Sequence, residues 1–96
     1  MPETRAERVP IRADILTHEV TESDEVVIYD SEDRQLLVLN DLGAGIWLLI
    51  DGRRSLADLT KELLQSVQAD PATVEGDVAD FVEQLVARKV VRWREP

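Results

Sequence analysis

Apolar and polar positions change their rhythm once along this chain, near residue 40. Before that point the apolar residues come in short β-branched bursts. After it they recur at helical spacing. The segment Glu25–Asp30, EVVIYD, has the β-branched and aromatic residues that suit a pleated surface. Arg34–Leu39, RQLLVL, is a second such burst, and the polar triplet Ser31–Asp33 between them predicts the turn of an antiparallel hairpin. A weaker strand is expected over Ile15–Val20, and Val9–Val20 as a whole is sparse in apolar residues. Residues 1–8 are polar and read as a flexible tail, leaving 9–96 as one domain.

Three helices follow, each with recognisable ends. Asn40 is positioned to cap the first, with Asp41 adding negative charge where the helix dipole favours it. That helix runs to about Ile50, and Gly52 is the expected left-handed residue beyond it. Ser55 caps the second, Leu56–Val67, whose Leu56, Leu59, Leu63, Leu64 and Val67 keep helical spacing. Asp70-Pro71 opens the third, with Asp as cap and Pro where its missing N–H is harmless. Val74, Val78, Phe81, Val82 and Leu85 share one face of that helix, and Val90–Trp93 is a short extended segment able to pair or pack. Three antiparallel strands followed by three helices define an α+β domain, for which a winged-helix-turn-helix-like arrangement is the natural compact solution. Gly43 and Gly45 each cost the first helix about 1 kcal/mol relative to alanine, so a close approach to a neighbouring element is expected there.

Composition narrows the chemistry. The 96 residues carry a net charge of -9, no cysteine and one histidine, His18. Thiol chemistry and thiolate metal sites are excluded, and no metal or cofactor is expected. No apolar run approaches the roughly 20 residues of a membrane span, and the polar N-terminus has no signal core, which makes the cytoplasm the default location. The negative charge argues against nucleic acid and anionic membranes as partners. In the third helix Glu75, Asp77, Asp80 and Glu83 outnumber Arg88, the opposite of what a DNA recognition helix needs. Those acids read as a solvated face, Ser55 and Ser66 as helix-boundary residues, and Trp47 and Trp93 as packing residues. The GAG triplet, Gly43–Gly45, has no phosphate-loop context. No enzyme is expected.

The remaining class is a protein that binds another polypeptide. Leu36, Leu37, Val38 and Leu39 are continuously apolar, so both faces of that strand are apolar. Leu37 and Leu39 are expected to face the helices. Leu36 and Val38 then need either a terminal segment of the chain or a partner over them, and an exposed apolar edge is a template for an incoming strand.

The run LN-x-x-GA-x-IW at Leu39, Asn40, Gly43, Ala44, Ile46 and Trp47 resembles the PqqD-like family. So do DG-x-x-S at Asp51, Gly52 and Ser55, the Leu59, Leu63 and Leu64 helix, and DV-x-x-FV-x-x-L at Asp77, Val78, Phe81, Val82 and Leu85. That family comprises the peptide chaperones of pyrroloquinoline quinone biosynthesis and the related recognition domains for RiPP precursors. The likeness spans roughly Asp14–Val91, and the IW pair and the hairpin are similar to the versions in lasso-peptide clusters. It implies a free-standing, non-catalytic domain holding the leader of a ribosomally made precursor peptide. The leader would add to the third strand beside the third helix and be presented to a separate radical enzyme, cyclase or leader protease. On that model the backbone of Arg34, Gln35, Leu36, Leu37 and Val38 pairs with the leader. Leu36, Val38, Val78, Phe81, Val82 and Leu85 offer apolar pockets, and Gln84 and Arg88 meet its polar groups. A winged-helix DNA-binding regulator and a small structural subunit docked on an enzyme are the competing classes.

Overall fold

The computed structural model describes residues 4–13, 16–30, 34–39, 41–66 and 68–94. Among the described residues, five strands and three helices follow one another. They are β1 (Pro10–Arg12), β2 (Leu16–Val20), β3 (Val26–Asp30), β4 (Gln35–Leu39), α1 (Asp41–Leu49), α2 (Leu56–Leu64), α3 (Pro71–Ala87) and β5 (Val91–Trp93). The three expected strands are β2, β3 and β4, and they form an antiparallel sheet in that order. Ile15, Ser31–Asp33, Asn40 and Val67, where a strand start, a turn, a cap and a helix end are expected, lie outside the described residues.

The pattern of side chains explains the layering. In β3, Val26, Ile28 and Asp30 are buried, while Tyr29 between them is exposed. In β4, Leu37 and Leu39 pack against the core, whereas Leu36 is 61% and Val38 56% exposed. This is the period of two that a sheet with one covered face requires. The covering layer is helical: Ala44, Ile46, Trp47, Leu56, Leu59, Leu63, Val74, Val78, Val82 and Leu85 share one core with β3.

The helix ends match their residues. Ser55 and Asp58 form a reciprocal capping box at α2, and the Asp70 carboxylate accepts from the Thr73 N–H at α3. Gly52 has φ of 79°, where an L side chain would be strained. The C-terminus of α3 closes differently. The Val90 N–H donates to the Leu85 carbonyl and the Lys89 N–H to Val86, which is the Schellman pattern with Lys89 at φ 65° in the place glycine usually takes.

One strand lies outside the sequence-based expectation. β1 pairs antiparallel with β5, Ile11 facing Arg92, and makes a separate two-stranded sheet. The Arg8 guanidinium lies 4.2 Å from the Trp93 ring centroid, and the Arg8 carbonyl accepts from the Leu56 N–H. Arg5–Glu7, within the stretch read as a tail, forms one 3-10 turn, and Arg5 pairs with Asp80 and Glu83. The described residues near both ends of the chain are thus engaged with each other and with α2 and α3.

Candidate functional site

The edge of the three-stranded sheet can be read bond by bond. The Thr21 N–H donates to the Glu25 carbonyl at 2.8 Å, which fixes Thr21 and Glu25 as a hydrogen-bonded pair of the β2–β3 hairpin. In an antiparallel ladder such pairs recur every second residue, so Glu19–Val27 and Thr17–Tyr29 follow. Val26, Ile28 and Asp30 then turn their backbone groups toward β4, where Leu39, Leu37 and Gln35 stand opposite them. The N–H and C=O groups of Leu36 and Val38 consequently point off the sheet, on the side where the strand order ends. The side chains of the same two residues stand on the uncovered face beside Val27 and Tyr29.

Beside this edge lies a groove of about 350 Å³ lined by Val38, Leu39, Leu42, Gly43, Ile46 and Phe81. Its floor is the start of α1 and its far wall is α3. Gly43 makes that depth possible: a Cβ there would stand 3.2 Å from Phe81 Cζ and 3.7 Å from Leu39 Cβ. The close approach expected for the glycines is therefore real at Gly43, while Gly45 has only ordinary contact with Leu63 at 3.8 Å.

Gln35 lies three residues before the groove-lining Val38, at the start of β4. Its amide donates to the Asp30 carboxylate at 3.2 Å and to the Arg88 carbonyl at 2.9 Å, tying the start of β4 to the end of α3. From Arg88 back to Phe81 is about 10 Å of helix, and from Gln35 to Val38 is about 10 Å of strand. The two walls therefore run side by side in step and in opposite directions.

The expected site residues divide on this geometry. Leu36 and Val38 offer both side chain and backbone, Phe81 lines the groove, and Gln84 and Arg88 are exposed on α3. Arg34 is exposed at the turn before β4, with φ of 53°. Val78, Val82 and Leu85 are at most 2% exposed and belong to the core, so they are not pocket residues. They share a helix face with Phe81, but of the four only Phe81 lines the groove. Leu37 points its side chain to the core and its backbone to β3, and the Gln35 side chain is spent on the latch. Leu39, Leu42, Gly43 and Ile46 line the groove without having been anticipated as contacts. The apolar strand-to-helix run with its glycine was the signal for them.

The other polar groups hold structure. Trp47 is fully buried, with the Arg12 guanidinium 5.0 Å from its ring centroid and the His18 ring edge-on at 6.0 Å. Arg12 also donates to the Trp47 carbonyl at 2.7 Å; burial pulls its pKa down and Asp51 partly restores it. The Asp51 carboxylate accepts from the Arg54 and Arg53 N–H groups, which hold its pKa below the ordinary value. Among the described residues no group of three or more His, Asp or Glu is placed to hold a metal, and no helix is long and apolar enough to cross a membrane. Glu75, Asp77, Asp80 and Glu83 are exposed on α3, so a DNA-reading role finds no support.

Comparison with known proteins gives this geometry its context. The PqqA binding protein of Xanthomonas axonopodis pv. citri is 29% identical over 89 residues, covering 93% of this chain and 95% of that protein. The PqqA binding protein of Rahnella aquatilis is 33% identical over 78 residues, covering 81% and 78%. The fold matches that of TbiB1 in complex with the TbiA(beta) leader peptide, with a TM-score of 0.80 at 20% identity over 90% of this chain and 99% of that one. It also matches the solution structure of the PqqD portion of Methylobacterium extorquens PqqCD, described as a stand-alone RiPP recognition element, with a TM-score of 0.74 at 22% identity over 93% of each chain. The family model for coenzyme PQQ synthesis protein D matches residues 25–91, and the chain belongs to the PqqD family.

Proposed function

We propose that this protein is a non-catalytic chaperone that captures the leader segment of a ribosomally made precursor peptide as an added strand on β4 and presents it to a separate modifying enzyme. The observation that carries the reading is the outward-pointing backbone of Leu36 and Val38 next to the apolar groove at Phe81. Backbone pairing there would give sequence-tolerant affinity, and the groove would select an apolar side chain. The relatives are PqqA binding proteins, and a structure of the same fold holds a leader peptide. The packing of α2 and α3 on the sheet is winged-helix-like in this proposal, with the place of DNA recognition given over to peptide capture.

The leader would be disordered when free, so its ordering entropy offsets part of the contact energy. Titration of isotope-labelled protein with a synthetic leader from a precursor gene adjoining its own tests the proposal. Chemical-shift changes centred on Leu36, Val38, Gly43 and Phe81 are expected. Changes confined to the β1–β5 ribbon, or none at saturating peptide, would refute it.

A further inference from the structure

The surroundings of the groove are not electrically uniform. The Gln35–Arg88 latch brings Arg34, Arg88 and Lys89 together about 10 Å of strand beyond the groove-lining Val38, and all three are exposed. None of them makes an ion pair among the described residues; Glu32 and Asp33, which precede Arg34, lie outside that set. Two of the three hold unfavourable backbone. Arg34 at φ 53° and Lys89 at φ 65° occupy left-handed positions where glycine or asparagine costs less. The only other such non-glycine among the described residues, Asp24, sits in the β2–β3 hairpin loop. Along the stripe of α3 that carries Phe81 the order is Asp77, Phe81, Gln84, Arg88, which runs from acid through an apolar centre to base. Asp80 and Glu83 are engaged by Arg5 elsewhere on the helix.

Building on the peptide-capture reading, we infer that the Arg34–Arg88–Lys89 cluster beyond the groove is a carboxylate-recognising subsite that sets the register of the guest. The guest is then a peptide with an apolar anchor at Phe81 and Val38 and an Asp or Glu about three or four residues away, since about 10 Å of strand separates the groove from the latch. The cluster is cationic in a chain whose net charge is -9. The local cations therefore choose one register, and a slip by one residue would turn the guest's apolar set away from the groove.

Selection from a displayed library of random 12-residue peptides, carried out on the intact protein, tests this. Binders are expected to share an apolar residue and, three or four positions from it, an enriched Asp or Glu. One selected peptide and its Glu→Gln version would then be compared by titration. Loss of the carboxylate should weaken binding about three- to ten-fold, the yield of a few exposed ion pairs. The R34Q/R88Q/K89Q variant should bind both versions alike. Lys89→Gly gives an independent readout: relief of the left-handed lysine should raise the melting temperature while the preference for the acidic peptide falls. Binders that compete at β4 but show no acid at that spacing, and no difference between wild type and the triple variant, would overturn the subsite and leave strand capture standing. A library that yields no β4 binder would overturn both.

Discussion

Replacing Val38 with proline isolates the backbone's role in capture. The Val38 N–H points off the sheet, so proline there removes no bond of the β3–β4 ladder. The side chain is 56% exposed, so little packing is lost, and an edge strand tolerates proline on its solvent side. The fold should lose no more than about 1 kcal/mol. A guest strand meets a different surface. It loses one inter-strand hydrogen bond, a net of about 0.5–1.5 kcal/mol, and its own carbonyl is left facing the pyrrolidine ring at a further cost of about 1–3 kcal/mol. A combined loss of about 1.5–4.5 kcal/mol corresponds to roughly 10- to 2,000-fold weaker binding. Leu37→Pro is the control. It removes a donor facing Ile28 and disturbs a half-buried leucine, and should cost about 3 kcal/mol or more of folding stability. Urea unfolding and calorimetric titration with the leader peptide measure the two quantities separately. If Val38→Pro folds like the wild type and binds within about two-fold of it, the added-strand mechanism is wrong.

Other perturbations reach other parts of the account. Gly43→Ala sets a Cβ 3.2 Å from Phe81 Cζ, so the ring must give by a few tenths of an ångström; alanine's helix preference of about 1 kcal/mol should offset much of the repacking in thermal unfolding, while peptide affinity drops. Gln35→Ala deletes both latch bonds and takes a donor from the buried Asp30 carboxylate, so a loss of about 1–3 kcal/mol is expected in urea melts. Asp51, whose pKa is lowered by the Arg54 and Arg53 N–H groups, contributes stability above its unfolded-state pKa that fades as pH falls through its depressed folded value. Asp51→Asn should therefore flatten that acid segment of the stability profile, and only slightly, because the carboxylate is largely exposed.

Much of this architecture was legible in the chain because local chemistry and fold agree. The alternation in Val26–Asp30, the Ser55 box, Asp70-Pro71 and Gly52 each name their own structure. β1 was not legible. Pro10–Arg12 is too short to show a period, and its partner β5 lies at the other end of the sequence. The groove was half legible. Continuous leucines marked β4 as apolar on both faces, but helical spacing alone groups Phe81 with Val78, Val82 and Leu85. Only the placement of α3 against the sheet separates the groove-lining ring from the three core residues. The alternation of backbone direction along β4 depends on hairpin phase, which the chain does not display until Thr21 and Glu25 are seen to pair.

Amide hydrogen exchange read residue by residue along β4 tests the central claim most directly. In the free protein Leu37 and Leu39 should be protected while Leu36 and Val38 exchange quickly, and saturating leader peptide should slow Leu36 and Val38 selectively. Protection of those two amides before any peptide is added, or unchanged exchange after it, would contradict an open edge that a guest strand fills.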